Sequence, residues 1–164
     1  MNRKEKVFEY LRNAGIYYEC IEHPATPTVE EALKYVIDAG DVCHCKNLFL
    51  RNHKGNRHYL VILDWHHSLP VHELQDKLQQ GRLSFASEAR MEKFLGVTPG
   101  SVSLFGLLND TDNHVHLILD SNLDKAERLS FHPNDNTASL IISHDSFRRI
   151  LTDLGNTYEF MDLY

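Results

Sequence analysis

Eleven histidines and three cysteines are the first residues here whose types could do chemistry. Cys43-His44-Cys45, His66-His67 and His114-x-His116 together hold the atoms of a zinc site. Structural zinc sites pair their cysteines two to four residues apart, and catalytic ones need three ligands and an open position. A C-x-C pair beside a strand turns both sulfurs to one face, but no second pair at a workable spacing follows, so no metal centre is expected. A cysteine nucleophile needs a histidine partner and a lowered pKa, and several histidines could reach Cys43 or Cys45. The chain has no G-x-S-x-G elbow for a serine nucleophile, and neither a P-loop nor a G-x-G-x-x-G fingerprint. Glu30-Glu31, Glu73 and Asp76 fall on helix faces, where solvated charge is the ordinary role.

Three segments remain that ordinary packing explains poorly. In Cys45-Lys46-Asn47-Leu48-Phe49-Leu50 a lysine and an amide open an otherwise apolar strand. Gly96 to Gly106 holds three glycines and a proline, a loop whose backbone N–H groups can face a ligand, although Pro99-Gly100 is also a common turn. Phe131-His132-Pro133-Asn134-Asp135-Asn136-Thr137 sets a histidine and two amides between strands.

The elements that must position these segments interleave as helices and strands, which predicts a single α/β (α+β) domain over 1–164. Asn2 caps a first helix carrying Val7, Phe8 and Leu11 on one face and ending near Gly15. A strand is expected over 16–22. A second helix follows Thr26-Pro27, with Thr28 and Glu31 at capping-box spacing and Val29, Ala32, Leu33 and Val36 as its stripe. Asn47–Leu50 and Tyr59–Leu63 should pair as a hairpin around Lys54-Gly55-Asn56, with the second strand buried on both faces. A short helix through Val71, Leu74 and Leu78, a short strand at 83–85 and a helix capped by Ser87 and closed by Gly96 come next. Strands at 114–119 and 138–142 precede a last helix, capped by Ser143 and burying Phe147, Ile150, Leu151 and Leu154. Short hairpin connections favour a mixed, largely antiparallel sheet flanked by helices.

The 164 residues, 42% of them hydrophobic, suffice for a real core. Three cysteines cannot complete a disulfide set, the charged N-terminus lacks a signal peptide's apolar segment, and no apolar run could span a membrane. A cytoplasmic, membrane-free protein is the expectation. The net charge of −6 argues against coating nucleic acid through bulk charge, while leaving local grip on a few phosphates open.

KNLFL at 46–50, RLSFAS at 82–87, GVTPGSVS at 96–103, LNDT at 108–111 and FHPNDNTA at 131–138 together resemble the YbaK-like aminoacyl-tRNA deacylases. That family includes the editing insertion of bacterial prolyl-tRNA synthetase. The likeness runs from about residue 3 to residue 155 and is greatest to the free-standing, trans-acting prolyl-tRNA editing branch. It implies a YbaK-like fold and metal-independent, cofactor-free hydrolysis of alanine wrongly esterified to proline tRNA. The acceptor end of the mischarged tRNA is the implied partner, with prolyl-tRNA synthetase as a further one.

The resemblance places the family's lysine on Lys46, its neighbouring asparagine on Asn47 and its histidine on His132. Its G-x-x-x-P loop element falls on Gly100-Ser101-Val102-Ser103-Leu104, where Leu104 replaces the proline. An aminoacyl ester is already activated, so the enzyme must place a water, stabilise the carbonyl oxyanion and refuse the correct substrate. N–H groups around Gly100 and Ser101 could serve the oxyanion. The ribose 2′-hydroxyl helps activate the water in this family. Lys46 suits the terminal phosphate or adenosine; Asn47 and a neutral His132 suit ribose hydroxyls or the α-amino group. Ser101, Val102, Ser103, Phe85 and Ile62 are the expected substrate-binding residues of a pocket too small for proline. Other readings are a deacylase for another mischarged tRNA, such as one carrying cysteine, a silent module that binds a tRNA end or a synthetase, and a zinc hydrolase.

Overall fold

The computed structural model describes residues 2–25 and 41–164, so the helix expected after Thr26-Pro27 lies outside the described residues. The first helix, α1 (Arg3–Asn13), starts in a reciprocal capping box: the Asn2 side chain accepts the Glu5 amide at 2.8 Å and the Glu5 carboxylate accepts the Asn2 amide at 3.2 Å. It buries Val7 and Leu11, while Phe8 stacks on Tyr18. The following strand, β1 (Glu19–Glu22), is shorter than expected because the Ile16 amide bonds back to the Leu11 carbonyl and keeps residue 16 on the helix end.

The remaining strands are β2 (Val42–Arg51), β3 (His58–Asp64), β4 (Ser84–Phe85), β5 (His116–Asp120), β6 (Arg128–Phe131), β7 (Ala138–Ser143) and β8 (Tyr158–Met161). They form one sheet in the order β1-β7-β6-β2-β3-β5-β8, with β4 also on β2. Among the described residues four of the seven strand pairings are antiparallel and three parallel. The β2–β3 hairpin pairs Asn47 with Ile62 and Leu50 with Tyr59. Its tip is closed by the Asn52 side chain, which accepts the amides of Asn56 and Arg57 at 3.1 Å each. β2 begins at Val42, five residues earlier than the apolar run alone marks, and this extra length pairs in parallel with β6.

Helices cover both faces of the sheet. On one face α1, α3 (Glu88–Leu95) and α4 (His144–Leu154) pack Leu11, Leu95, Phe147 and Ile150 against Phe49, Leu60, Ile62, Leu117 and Leu140. Leu74 of α2 (Val71–Leu78) packs on the other face against Leu50, Val61, Leu63 and Ile118. Ser87 and Ser143 cap α3 and α4 through their hydroxyls, as their positions before amphipathic runs predict. Among the described residues, no helix is long and apolar enough to cross a membrane.

Candidate functional site

After α3 the chain makes a turn over Thr98-Pro99-Gly100-Ser101, in which the Ser101 amide donates to the Thr98 carbonyl at 3.0 Å. Gly100 sits at φ +85, the conformation that the third residue of a type II turn requires. The Ser101 amide is therefore spent within the turn rather than turned to a ligand. The next two amides, Val102 and Ser103, are outside any turn or ladder hydrogen bond among the described residues. Ser103 then caps a 3-10 helix, Leu104–Asn109, its hydroxyl accepting the Phe105 amide at 3.2 Å. Leu104 thus occupies the first helical position, where proline is favoured because no intrahelical N–H is needed. Its side chain is fully buried, so packing holds the place where the resemblance expects a proline ring.

Three hydrogen bonds stitch this loop to the segment after β6. Ser103 donates its hydroxyl to the His132 carbonyl at 2.5 Å, Asn134 donates its amide to the Phe105 carbonyl at 3.1 Å, and the Asn136 amide donates to the Ser101 hydroxyl at 3.1 Å. Asn134 adopts φ +61, which asparagine tolerates better than most residues. The sequence marks Asn134 and Asn136 as two amides set between strands, without the partners they find. Their cross-loop bonds come from the three-dimensional fold and carry no local signal.

The His132 ring is fixed by the Ala138 carbonyl, 2.9 Å from Nδ1. A carbonyl can only accept, so the proton sits on Nδ1 and the Nε2 lone pair is left for another donor. Burial pushes the His132 pKa down, against the opposite pull of that carbonyl, and keeps the ring neutral near pH 7. His23, passed over in the sequence, faces His132 edge-on at 6.4 Å and places Nε2 3.0 Å from the Ser139 hydroxyl.

Lys46 lies level with His132 along the neighbouring strand. β2 and β6 run parallel with His44 opposite Ser130, and Lys46 and His132 each follow two residues further in that direction. The Lys46 amine donates to the His67 carbonyl at 2.7 Å in the loop after β3. Asn47, the next residue on the strand, projects to the opposite face with Ile62 as its cross-strand partner. Its amide donates to the Cys45 carbonyl at 3.4 Å, and its buried Oδ1 has no hydrogen-bond partner among the described residues.

The structure therefore brings together Gly100, Ser101, Val102, Ser103 and His132, with Lys46 midway along the neighbouring strand β2. Two of the expected pocket residues are not brought there. Ile62 has 0% of its surface accessible and belongs to the core. Phe85, 60% exposed, pairs with Leu50, four residues or about 13 Å along β2 from Lys46. Cys45 is buried, and desolvation raises its thiol pKa, the reverse of what a nucleophile needs. Cys43 instead points its thiol at Asp64 over 3.7 Å. Among the described residues no three His, Cys, Asp or Glu side chains converge as metal ligands.

Comparison with known proteins fits this arrangement. Residues 23–150 match the model of the aminoacyl-tRNA editing domain, a span that opens at His23 and contains every residue of the stitched loops. The chain belongs to that family. It is 40% identical over 163 residues to the prolyl-tRNA editing protein ProX of Acetoanaerobium sticklandii, covering 99% of both chains. It is also 32% identical over 157 residues to prolyl-tRNA synthetase associated domain-containing protein 1 of Xenopus laevis, covering 93% of this chain and 92% of that one. A solved structure described as a candidate trans-editing enzyme for prolyl tRNA synthetase shares the fold, with a TM-score of 0.74 at 20% identity over 99% of this chain and 97% of the other.

Proposed function

We propose that this protein is a trans-editing hydrolase that clears alanine from mischarged proline tRNA, without a metal or other cofactor. Its membership of the aminoacyl-tRNA editing family makes it a hydrolase of aminoacyl-tRNA esters, and the 40% identical relative named for prolyl-tRNA editing supports proline tRNA as the carrier. The observation that carries the reading is the hydrogen-bonded union of the Gly100 loop with the His132 loop, beside the middle of β2 from which Lys46 emerges.

In this reading Lys46 holds the terminal phosphate or adenosine as a point charge. The neutral His132 accepts at Nε2 a hydrogen bond from a ribose hydroxyl or the α-ammonium group. A water, activated with help from the ribose 2′-hydroxyl, adds to the ester carbonyl. The amides of Val102 and Ser103 hold the oxyanion; donors of this kind are worth about 3–4 kcal/mol each in other enzymes. Collapse breaks the bond to the ribose oxygen, which takes up the proton, and releases alanine and free tRNA. Selection is by size: attraction for one extra carbon discriminates only ~10–200-fold, whereas a hollow walled by Val102 and the loop excludes the proline ring. The cytoplasm, where tRNA is charged, is the place of action in this reading, and prolyl-tRNA synthetase is the docking partner.

A panel of mischarged tRNAs tests this. Rapid deacylation of alanyl-tRNA(Pro), with cysteinyl-tRNA(Pro) and prolyl-tRNA(Pro) spared, is expected; preferential loss of cysteine would reassign the substrate.

A further inference from the structure

Far along β2 from Lys46, the hairpin and α3 bring two guanidinium groups together. Arg51 is the cross-strand partner of His58, and Arg90 projects from α3 over the same strands. A methyl group built on Gly55 would lie 3.0 Å from Arg90 Nη2 and 3.2 Å from Arg51 Nη2, so the two forks converge on one point above that glycine. Among the described residues, only neutral acceptors hold them. Arg90 Nη1 donates to the Gly55 carbonyl at 3.0 Å and to His58 Nε2 at 2.8 Å. Arg51 donates from Nε to the Asn52 carbonyl at 3.2 Å and from Nη2 to the His53 carbonyl at 3.0 Å.

Arg3, Arg128, Arg148 and Arg149 each face a carboxylate, whereas among the described residues Arg51 and Arg90 form no ion pair. Two like charges at this separation repel unless an anion lies between them. His58 adds no compensation. Arginine can only donate, so His58 Nε2 must accept, and its proton sits on Nδ1 toward His114 Nε2 at 2.8 Å. Burial first, and then the charges of Arg90 and Arg51, keep this histidine neutral, with its pKa lowered to about 4. The exposed Lys54 and Arg57 of the same hairpin extend the positive field.

We propose that Arg51 and Arg90 form a phosphate-binding fork that grips the tRNA backbone at a point remote from the reacting ester. The inference rests on the tRNA-editing reading and adds a second anchor to it. Arg51 stands five residues beyond Lys46 on β2, about 16 Å at ~3.3 Å per residue and, by the alternation of the strand, on the other face of the sheet, so the fork meets a phosphate away from the one Lys46 serves. Paired planar forks match phosphate oxygens, and Gly55 leaves the space between them open.

The test is binding of uncharged tRNA(Pro) across a series of KCl concentrations. Arg51→Gln should bind roughly tenfold more weakly, with a salt slope shallower by about 0.9, and its loss in kcat/KM should appear in KM. Arg12→Gln, an exposed arginine on α1, serves as the control for lost charge alone and should match wild type. Gly55→Asp places a carboxylate between the forks at φ +72, a conformation Asp tolerates better than most, and should reproduce the loss while the fold is retained. Wild-type affinity and slope in both Arg51→Gln and Gly55→Asp would overturn the fork. Displacement of tRNA by a polyglutamate peptide at equal charge would overturn it in favour of a protein ligand. Uncharged tRNA carries no ester, so a fork that binds it in a protein that deacylates nothing would refute the proposed reaction and leave the fork standing.

Discussion

The hydroxyl of Ser103 donates to the main-chain carbonyl of His132 at 2.5 Å, and the same oxygen accepts the Phe105 amide at 3.2 Å. One fully buried serine thereby caps the 3-10 helix and pins the histidine segment to the glycine loop. Ser103→Ala leaves a part-buried carbonyl and a buried amide unpartnered and should cost about 1–3 kcal/mol of unfolding free energy in urea titration. Because the pin sets the distance between the loop amides and the imidazole, deacylation should fall as well. A variant as stable and as active as wild type would show that the two loops are held by other means.

Among the described residues the Lys46 amine is bonded only to the His67 carbonyl near the surface, so little stability depends on it. Lys46→Ala should melt within a few degrees of wild type while kcat/KM drops roughly ten- to a hundredfold, the worth of a charge-assisted bond. Turnover at wild-type level would remove the lysine from the reaction. Weakened tRNA association in a protein that never turns over would favour a binding module.

Asparagine at position 132 can still offer an N–H near the place of Nδ1, toward the Ala138 carbonyl, but has nothing in the place of Nε2. His132→Asn should therefore keep most of its stability and lose turnover by one to two orders of magnitude, on the scale of ~1.5–3 kcal/mol for a lost bond to a charged group. Equal losses in folding and catalysis would make the ring a structural support only.

Acid sensitivity follows from two depressed histidines. The pKa values of His58 and His132 lie below the unfolded value of about 6.5, that of His58 at about 4. The unfolded chain then binds more protons as the pH falls, so their stabilisation is complete above about pH 6.5 and, for His58, is lost as the pH falls toward about 4. The lowered carboxylates Asp41 and Asp124 act at lower pH, below about 4. Melting temperature should decline between pH 6.5 and 4, and His58→Gln should flatten that decline. A flat wild-type profile would contradict the assignment.

Most elements were legible where a cap or a period marks them. Asn2, Ser87 and Ser143 cap the helices they precede, and the unbroken run from Tyr59 to Leu63 lies between β2 and β5. β8 went unassigned because Tyr158–Met161 has no buried face of its own and is a strand only through its parallel pairing with β5. At the site, Lys46, Gly100 and His132 could be marked from their residue types and the resemblance. Ile62 could not be told from a pocket residue, since burial depends on what covers β3. The forks of Arg51 and Arg90, 39 residues apart in sequence, meet only because the hairpin folds under α3.

The most direct measurement is the rate of amino-acid release from alanyl-tRNA(Pro) and prolyl-tRNA(Pro), side by side, with and without EDTA. The account predicts rapid loss of alanine, little loss of proline and no effect of the chelator. Equal release of both amino acids, or activity that disappears with EDTA, would contradict it.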